Sequence, residues 1–432
     1  MKDQQGGDAG GRGVNRRQFL QYGVGSFAAL VVGRALPGVS DNPAFAATQV
    51  QTLRFRITDA MKEMVTHNAV NDARCYFWCF KEDRFPADCP GPIVFAREGE
   101  TVTIEVRNDL DEPHAMKIAG MFNTGPIAPG QRVIKSFVAS RAGTFLYFDP
   151  LNSPVNRVMG LHGAFIVMPR GVAAGHRRTP YTLGEVTPGV QSLFDDLGSS
   201  PWFPGLAWEE GDPATNTIRF RQYIWVCHQA SPNLFAEVGS LLPGQIYPAS
   251  EFVSAFQRDP FTVFARDTRI PQYFTINGQS GHFAHNNPYI CPNNRVGEPV
   301  LVRVLNAGLM MHSMHIHANH VYVTAVNGAV QRNPIWVDTY TLPPMTTFDW
   351  LLPYMRPPDV PNTRGIGMPD PGLPTALGTT WPPNEELAVF MPPLGTTRNG
   401  IPIHVQQSPL CFPMHDHSEP SQTAQGGNYN CG

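Results

Sequence analysis

Charged side chains are scarce in this 432-residue sequence, where Asp, Glu, Lys and Arg make up 16% of the residues, against about 25% in typical globular proteins. The formal net charge is −3 at pH 7, and the body of the chain contains no run of Lys or Arg. Proteins that bind nucleic acid through its phosphates present a basic patch. The sequence therefore lacks the electrostatic signature of nucleic-acid binding.

Long apolar runs are also missing. One apolar stretch, GVGSFAALVVG, follows the paired Arg16 and Arg17, and it is shorter than the about 20 residues that span a bilayer. A small-residue cleavage site then follows, after Ala46. This arrangement resembles a twin-arginine signal peptide. It predicts that residues 1–46 are removed and that the mature chain is exported to the bacterial periplasm or cell envelope. The alternative is a chance arginine pair before an apolar patch.

Cysteines are few, and their number is odd: seven remain after the predicted cleavage site. An exported protein can form disulfides, but an odd number leaves at least one thiol outside any intramolecular pair. Cys75, Cys79 and Cys89 cluster within one segment. We expect this cluster to be a disulfide-stapled excursion, with a metal clip as the alternative, and the connectivity stays open.

Glycine and proline, in contrast, are abundant, with 40 and 42 residues, which favours short strands joined by turns over long helices. Runs of alternating or β-branched and aromatic residues predict strands throughout the chain. The clearest are TVTIEVRN from Thr101, GTFLYFD from Gly143, GAFIVMP from Gly163, TIRFRQYIWVC from Thr217, PVLVRVLNAG from Pro299, HVYVTAVNG from His320 and FDWLLP from Phe348.

An internal repeat divides the chain. EGETVTIEVRND, from Glu98, resembles VGEPVLVRVLNAG, from Val296: each has a Gly-Glu turn, an alternating strand and then an Asn. Two copies of one β-unit indicate tandem β-domains. We predict a first domain at residues 47–172, an irregular Pro/Gly-rich linker at 173–216 and a second domain at 217–432.

Two H-x-H pairs stand out among the 14 histidines. His315 and His317 form one pair, and His415 and His417 form the other. Residues two apart on a strand share a face, so both pairs can converge from neighbouring strands on one metal ion. Imidazole suits copper, zinc, iron and nickel. The alternative is that these histidines are ordinary polar residues of the core or surface.

The sequence resembles the multicopper oxidase family, which is built from cupredoxin domains. PGPIVFAREGETVTIEVRNDLDEPHAM, PIAPGQ and GLHGAFIVMP match its first-domain landmarks, and YFTINGQ, VRVLNAGLMMHSMHIHANHVYV and PMHDHSEPSQTAQGGNY match its last domain. The resemblance implies an all-β fold of two tandem cupredoxin-like Greek-key β-sandwich domains. It also implies copper as the cofactor and an oxidoreductase activity. Related two-domain proteins often form trimers, so it further implies a homo-oligomer.

The sequence departs from the family at its copper ligands. Where the first domain should supply two histidine pairs, this chain has Lys117-Ile118-Ala119 and Phe148-Asp149-Pro150. Where the thiolate of the blue-copper site should stand, it has Asp416, and a further expected histidine is replaced near Ser421. Without the thiolate we expect no intense blue colour and poor electron entry. Cys411 is the nearby thiol that could take over this role.

These departures predict a reduced copper complement. We expect the metal ligands to be His315, His317, His415 and His417, with His312 retained from the blue-copper set. They would hold one type-2-like copper, a partial cluster or, as a weaker possibility, zinc. We expect Asp416 to hydrogen-bond to His312 in the vacated pocket and to serve catalysis by orienting groups or relaying protons; the alternative is a supporting acceptor that fixes a ligand imidazole. His114, His162, His67 and His228, or groups from a second subunit, are further candidates, with His114 the best in the first domain and His162 better explained by packing.

Two functions follow from this arrangement. The first is an exported oxidoreductase whose small reducing substrate binds close to the copper. The second is a copper-carrying or assembly subunit without catalysis, beside a complete partner oxidase.

Overall fold

A computed structural model of the chain describes residues 31–32, 51–65, 73–198, 222–258, 269–285, 287, 289–292, 299–317, 319–353, 396–398, 401–403, 413–418 and 421. The fold is mostly β, with sheets arranged in sandwich-like domains. This confirms the predicted all-β class with tandem sandwich-like domains.

The first domain consists of two sheets around one core. Its strands are β1 (Val31–Val32), β2 (Gln51–Met64), β3 (Ala73–Glu82), β4 (Ile93–Arg97), β5 (Thr101–Asn108), β6 (Lys117–Ile118), β7 (Phe122–Asn123), β8 (Arg132–Val138), β9 (Gly143–Phe148) and β10 (His162–Met168). One sheet has the order β3-β2-β5-β8, and the other has β1-β4-β10-β9-β6-β7. A short helix, α1 (Val155–Val158), lies between β9 and β10.

The second domain repeats this plan. Its strands are β11 (Gln222–Ala230), β12 (Tyr273–Ile276), β13 (Val300–Asn306), β14 (His312–Ile316), β15 (Val321–Val326), β16 (Ala329–Val337), β17 (Thr339–Leu342), β18 (Thr347–Leu352), β19 (Thr396–Arg398), β20 (Ile401–Ile403) and β21 (Met414–Asp416). A sheet of order β12-β11-β13-β18-β15-β16 is accompanied by a smaller sheet, β17-β14-β21, and by the β19-β20 pair.

The repeated β-unit occupies the same place in both domains. Strand β5 lies between β2 and β8, and β13 lies between β11 and β18. Each ends in a buried asparagine, Asn108 or Asn306. Each asparagine donates from Nδ2 to the carbonyl of the fourth residue onward and to a carbonyl of a later segment. Each also accepts at Oδ1 from the amide two residues onward, and all these distances are 2.7 to 3.0 Å. Both copies therefore use one hydrogen-bonded turn to end the central strand.

The two strands differ in burial because the domains pack on each other. Residues of β5 alternate between buried and partly exposed, whereas every residue of β13 is buried. One face of β13 joins the core of its own domain. The other joins a shared core that includes Leu146 and Ile166 of the first domain and Leu301 and Leu305 of the second. The second copy of the unit is thus the one that carries the domain interface.

The predicted irregular linker contains a helix, so that prediction is wrong for its described part. Helix α2 (Pro188–Gly198) is preceded by a turn of 3-10 helix at Leu183–Glu185. Val190, Leu193 and Phe194 are buried in the shared core, and the helix packs on β16. Their spacing places them on one helical face, which the abundance of Pro and Gly nearby concealed.

Two more helices precede β12, α3 (Pro232–Gly239) and α4 (Ala249–Phe256). Ser231 caps α3 by accepting from the Leu234 amide. The rings of Phe235 and Phe252 stack between α3 and α4 with centroids 6.3 Å apart. A further helix, α5 (Gly281–His285), follows β12. Among the described residues no helix is long and apolar enough to cross a membrane.

The expected disulfide staple is absent. Cys75, Cys79 and Cys89 are all buried thiols outside any disulfide. Cys75 and Cys79 both lie on the extended strand β3, where a rise of about 3.3 Å per residue separates them by roughly 13 Å. A disulfide requires Cα atoms within about 7 Å, so strand geometry excludes that pair.

A buried polar network joins the domains beside the shared core. Arg303 of β13 donates to Thr144 of β9 over 2.9 Å and to Gln222 over 2.8 Å. Thr144 in turn donates to Asp349 of β18 over 2.7 Å. Arg303 and Asp349 lie 3.6 Å apart, with 0% and 3% of their side chains exposed. The network therefore fixes β9 of the first domain against the central strands of the second.

We expect Asp349→Ala to lower the free energy of unfolding by about 3–5 kcal/mol, because it leaves the buried Arg303 charge without its carboxylate. Asp83→Ala is the control: Asp83 pairs with Arg56 at 3.2 Å, but their side chains are 43% and 46% exposed, and such pairs contribute at most about 1 kcal/mol. Urea unfolding followed by tryptophan fluorescence measures both changes. Equal losses in the two variants would contradict this account of the interface.

Candidate metal centre

Strand β14 places its histidines on two opposite faces. His312, Met314 and Ile316 are buried, whereas Ser313 and His315 point outward, as the two-residue period of a strand requires. His317 follows on the outward side and is exposed. His312 therefore lies on the buried side of this segment, and His315 and His317 lie on its solvent-facing side.

Strand β21 brings the second pair alongside the first. It runs antiparallel to β14 with His415 directly opposite His315. The amide of His417 donates to the Ser313 carbonyl over 2.7 Å, and the amide of His317 donates to the Pro413 carbonyl over 2.9 Å. The two H-x-H pairs thus lie side by side on the outer face of this small sheet.

The four rings form one cluster. Ring centroids are separated by 4.8 Å for His315 and His317, 5.2 Å for His317 and His415, 5.3 Å for His315 and His417, 5.4 Å for His315 and His415, and 5.6 Å for His415 and His417. We call these four residues the imidazole cluster. It is partly open to solvent, since His317 and His417 are exposed.

Nitrogen atoms of three of the four rings lie close together, whereas His417 is not part of that closest group. The Nε2 atoms of His317 and His415 are 3.0 Å apart, and ligand atoms of His315, His317 and His415 all lie within 4.8 Å of one another. An ion about 2.0–2.1 Å from each imidazole nitrogen would make an angle of roughly 95° with the two Nε2 atoms. This spacing fits a shared metal ion.

Backbone groups orient two of these rings. His315 places Nδ1 2.9 Å from the carbonyl of Asp338 and 2.7 Å from Oγ1 of Thr339. His415 places Nδ1 3.1 Å from the carbonyl of Asp416. A ring that donates from Nδ1 presents the Nε2 lone pair, which is the usual arrangement around metal-binding histidines. Burial and then the neighbouring imidazoles lower the pKa of His415, which favours the neutral ring that a metal requires.

Asp416 lies beneath the cluster, fully buried. Its carboxylate accepts from Nδ1 of His312 over 2.8 Å, from the amide of Ser313 over 2.7 Å and from the amide and hydroxyl of Ser418 over 3.0 and 3.2 Å. Burial alone would raise the pKa of Asp416, but His312 and these hydrogen bonds outweigh burial and lower it. The predicted hydrogen bond between Asp416 and His312 is present.

The structure does not bring His312 to the imidazole cluster. Its second ring nitrogen, Nε2, contacts the side-chain amide of Gln229, and its ring packs edge-on against Phe274. Both nitrogens of His312 are thus engaged within the protein, on the buried side of β14. Cys411, the nearby thiol considered as a replacement, and His67 lie outside the described residues.

The first domain has the same strand arrangement after its repeated asparagine, but with different side chains. His114 stands six residues after Asn108, as His312 does after Asn306. Its Nδ1 is 2.7 Å from the buried carboxylate of Asp149, so a buried His–Asp pair occurs in both domains. This pair engages His114 inside the first domain, where Asn156 also contacts both of its members.

By the same offset, Lys117 and Ala119 take the places of His315 and His317. Lys117 pairs across the sheet with Phe148, as His315 pairs with His415. The first domain therefore has the strand pairing of the cluster with Lys117 and Phe148 in place of His315 and His415.

Three residues that contact these histidines were not predicted from the sequence. Gln229, Asp338 and Thr339 touch the two histidine sets through a side-chain amide, a carbonyl and a hydroxyl, and no motif marks them. His162 and His228 do not join the imidazole cluster: they lie in a separate buried group with Cys89. His320 stacks on Trp336 with ring centroids 5.2 Å apart.

Comparison with known proteins identifies relatives of both domains. Two separate family models, each described as multicopper oxidase, match residues 85–171 and 256–352. A copper-containing nitrite reductase from Alcaligenes xylosoxydans xylosoxydans is 28% identical over 190 residues, covering 40% of this chain and 54% of the relative. Laccase-6 from Oryza sativa subsp. japonica is 25% identical over 287 residues, covering 61% of this chain and 38% of the relative. The chain therefore spans about half the length, or less, of these curated relatives.

The solved structures that match this chain also include copper oxidases and copper nitrite reductases. A blue copper oxidase from Nitrosomonas europaea matches with a TM-score of 0.46 and 18% identity, covering 72% of this chain and 77% of the other. A copper nitrite reductase from the same organism matches with a TM-score of 0.42 and 15% identity, covering 72% and 85%. Since multicopper oxidase models match a segment in each of the two β-domains, this chain belongs to the multicopper oxidase family.

Proposed function

We propose that this chain is an exported copper-binding oxidoreductase in which the imidazole cluster holds a single type-2-like copper ion. The observation that carries the proposal is the approach of the His317 and His415 Nε2 atoms to 3.0 Å, with His315 and His417 beside them. The family implies copper, and imidazole is a ligand that copper accepts readily.

The cluster fits the ion in its donor set as well as its spacing. His315 and His415 turn their Nδ1 atoms toward backbone carbonyls, which fixes both ring planes before any metal arrives. Copper held there would take up and release single electrons between its +1 and +2 states. Zinc would accept the same nitrogens and is the less favoured alternative.

The surrounding residues decide how electrons reach the site. Asp416 provides no thiolate, so this position offers no strongly coupled copper–sulfur path to the cluster. A reducing substrate would have to touch the cluster directly. The exposed rings of His317 and His417 leave room for a small molecule to do so. Asp416 would serve by positioning β21 and His312 from below.

The second candidate is a copper-carrying or assembly subunit without turnover, next to a complete oxidase. It is favoured by Lys117 and Phe148, which replace the first-domain ligands of the family. A homo-oligomer, such as a trimer, could bring other groups to the open side of the cluster. Both candidates share the copper site and differ in turnover.

The copper content of the purified chain tests the site. We expect about one cluster-bound copper per chain, with the electron paramagnetic resonance spectrum of a type-2 ion and no intense visible band, because the cluster contains nitrogen ligands and no thiolate. His315→Ala combined with His317→Ala should lose this spectrum. His320→Ala is the control, since that ring stacks on Trp336 outside the cluster. A spectrum that survives the double substitution would contradict the proposed ligands.

Turnover separates the two candidates. With a phenolic reductant we expect oxygen uptake, and with an artificial electron donor and nitrite we ask whether nitrite disappears. Either rate should fall at least tenfold in the His315→Ala, His317→Ala chain and stay unchanged in His320→Ala. Full copper loading without either reaction would reject the enzyme and support the carrier.

Asp416→Asn tests the positioning role of the carboxylate. All four groups around Asp416 are hydrogen-bond donors, so an amide NH₂ would face a donor. The Asp416 carboxylate touches no ring of the cluster, so its loss acts through the pairing of β21 with β14. We therefore expect a loss near the lower end of the about 10–100-fold that removal of a group supporting metal ligands causes, measured in competition titrations with a copper chelator. Asp83→Asn, on the surface, should leave the affinity unchanged. An unaltered affinity in Asp416→Asn would show that the cluster does not depend on the carboxylate.

A further inference from the structure

A second group of potential ligands lies at the junction of the two domains. Cys89 and His162 belong to the first domain, and His228 belongs to β11 of the second. Ligand atoms of the three residues lie within 4.8 Å of one another, and all three residues are buried. The two imidazole rings have centroids 4.6 Å apart. We call these residues the junction site.

Consecutive carbonyls of α1 orient both imidazoles. Nδ1 of His162 lies 2.8 Å from the carbonyl of Arg157, and Nε2 of His228 lies 2.7 Å from the carbonyl of Val158. These carbonyls accept the N–H of each neutral ring. The lone pair then resides on Nε2 of His162 and on Nδ1 of His228. This is the arrangement in which metal-binding histidines are held by backbone acceptors.

The carbonyls of α1 provide a hydrogen-bond partner for only one nitrogen of each ring. Nε2 of His162 is buried and has no hydrogen-bond partner. A buried acceptor without a partner costs about 1–3 kcal/mol, so its placement calls for a ligand. The Cys89 thiol makes only a long contact to the Gly160 carbonyl, at 3.9 Å, so this contact does not commit the sulfur.

The position of Cys89 is fixed from several sides. Nζ of Lys62 donates to the Cys89 carbonyl over 2.7 Å. A Cβ atom added to Gly278, in the second domain, would come within 2.0 Å of that carbonyl oxygen. A Cβ added to Gly160 would come within 3.0 Å of the Cys89 sulfur. Close backbone approach from both domains thus holds the thiol beside the two rings.

We propose that Cys89, His162 and His228 form a buried binding site for one monovalent copper ion, Cu(I). A thiolate and neutral imidazoles suit this soft ion. With bond lengths of about 2.0 Å to nitrogen and about 2.3 Å to sulfur, three-fold coordination needs ligand atoms roughly 3.5–3.8 Å apart, which lies within the observed limit. Binding replaces the thiol proton of Cys89 by copper, and the proton leaves to solvent.

Charge selects the monovalent ion. Arg157 is buried beside the junction site and donates to the backbone carbonyls of Ala307 and Gly308. Cu(I) with one thiolate adds no net charge to this interior, whereas Zn²⁺ with one thiolate would add a positive charge next to the guanidinium. Burying such a charge without a counter-ion is strongly unfavourable.

The test uses the full chain carrying His315→Ala and His317→Ala, so that copper in the imidazole cluster does not obscure the result. The chain is refolded with Cu(I) under anaerobic reducing conditions and washed with a Cu(I) chelator. We expect one copper per chain and an X-ray absorption spectrum with one sulfur and two nitrogen ligands. Absence of a sulfur ligand, or retention of zinc in place of copper from a mixture of both ions, would overturn the proposal.

Single substitutions test whether the sulfur ligand is that of Cys89. Cys89→Ala and His162→Gln should each reduce the retained copper at least tenfold, while Cys227→Ala, at another buried thiol, should retain it. Circular dichroism checks that each variant folds. If a variant does not fold, the X-ray absorption spectrum of the chain with the intact junction site still tests whether sulfur binds the copper. Equal copper in Cys89→Ala and Cys227→Ala would reject the site. Because the imidazole cluster is disabled throughout, this outcome leaves the proposed function untouched.

Discussion

The carboxylate of Asp416 is the constraint on which the imidazole cluster depends. Strand β21 is only three residues long, and its pairing with β14 fixes the register of both histidine pairs. Asp416 ties the two strands together from the buried side through His312 and the Ser313 amide. With this residue inside, His415 and His417 on either side of it must both point outward. The aspartate thus orients the pair that encloses it.

A similar His–Asp pair in the first domain shows that this arrangement belongs to the frame of the fold. His114–Asp149 and His312–Asp416 occupy corresponding places after the repeated asparagine turns. In neither domain does this position offer a thiolate. The domains differ on the opposite face of these strands, where the second domain carries imidazoles and the first carries Lys117 and Phe148, and Phe148 packs against the shared core. Packing between the domains, with β13 buried on both faces, then adds groups that neither domain contains alone, the junction site among them.

The sequence predicts what local periodicity determines. Alternation predicted β5, β9, β10, β13, β15 and β18 close to their observed bounds, and the repeat predicted two domains of one plan. The H-x-H spacing also predicted which imidazoles share a face. It could not reveal α2, whose three buried apolar residues lie within a segment rich in Pro and Gly, nor the grouping of Cys89, His162 and His228. Those three residues are far apart in the sequence, and only the docking of the domains brings them together.

The exposed histidines are the part of the structure that stability does not explain. The buried pair of His312 and Asp416 satisfies hydrogen bonds that would otherwise be lost in the core. The outward rings of His317 and His417 bury little surface, and contacts between exposed polar groups contribute little to folding. Moreover, burial and then the neighbouring imidazoles lower the pKa of His415, which favours the neutral form of that ring. A surface cluster whose members repel when charged becomes favourable once a cation replaces the protons, and this is the physical reason to regard it as a binding site.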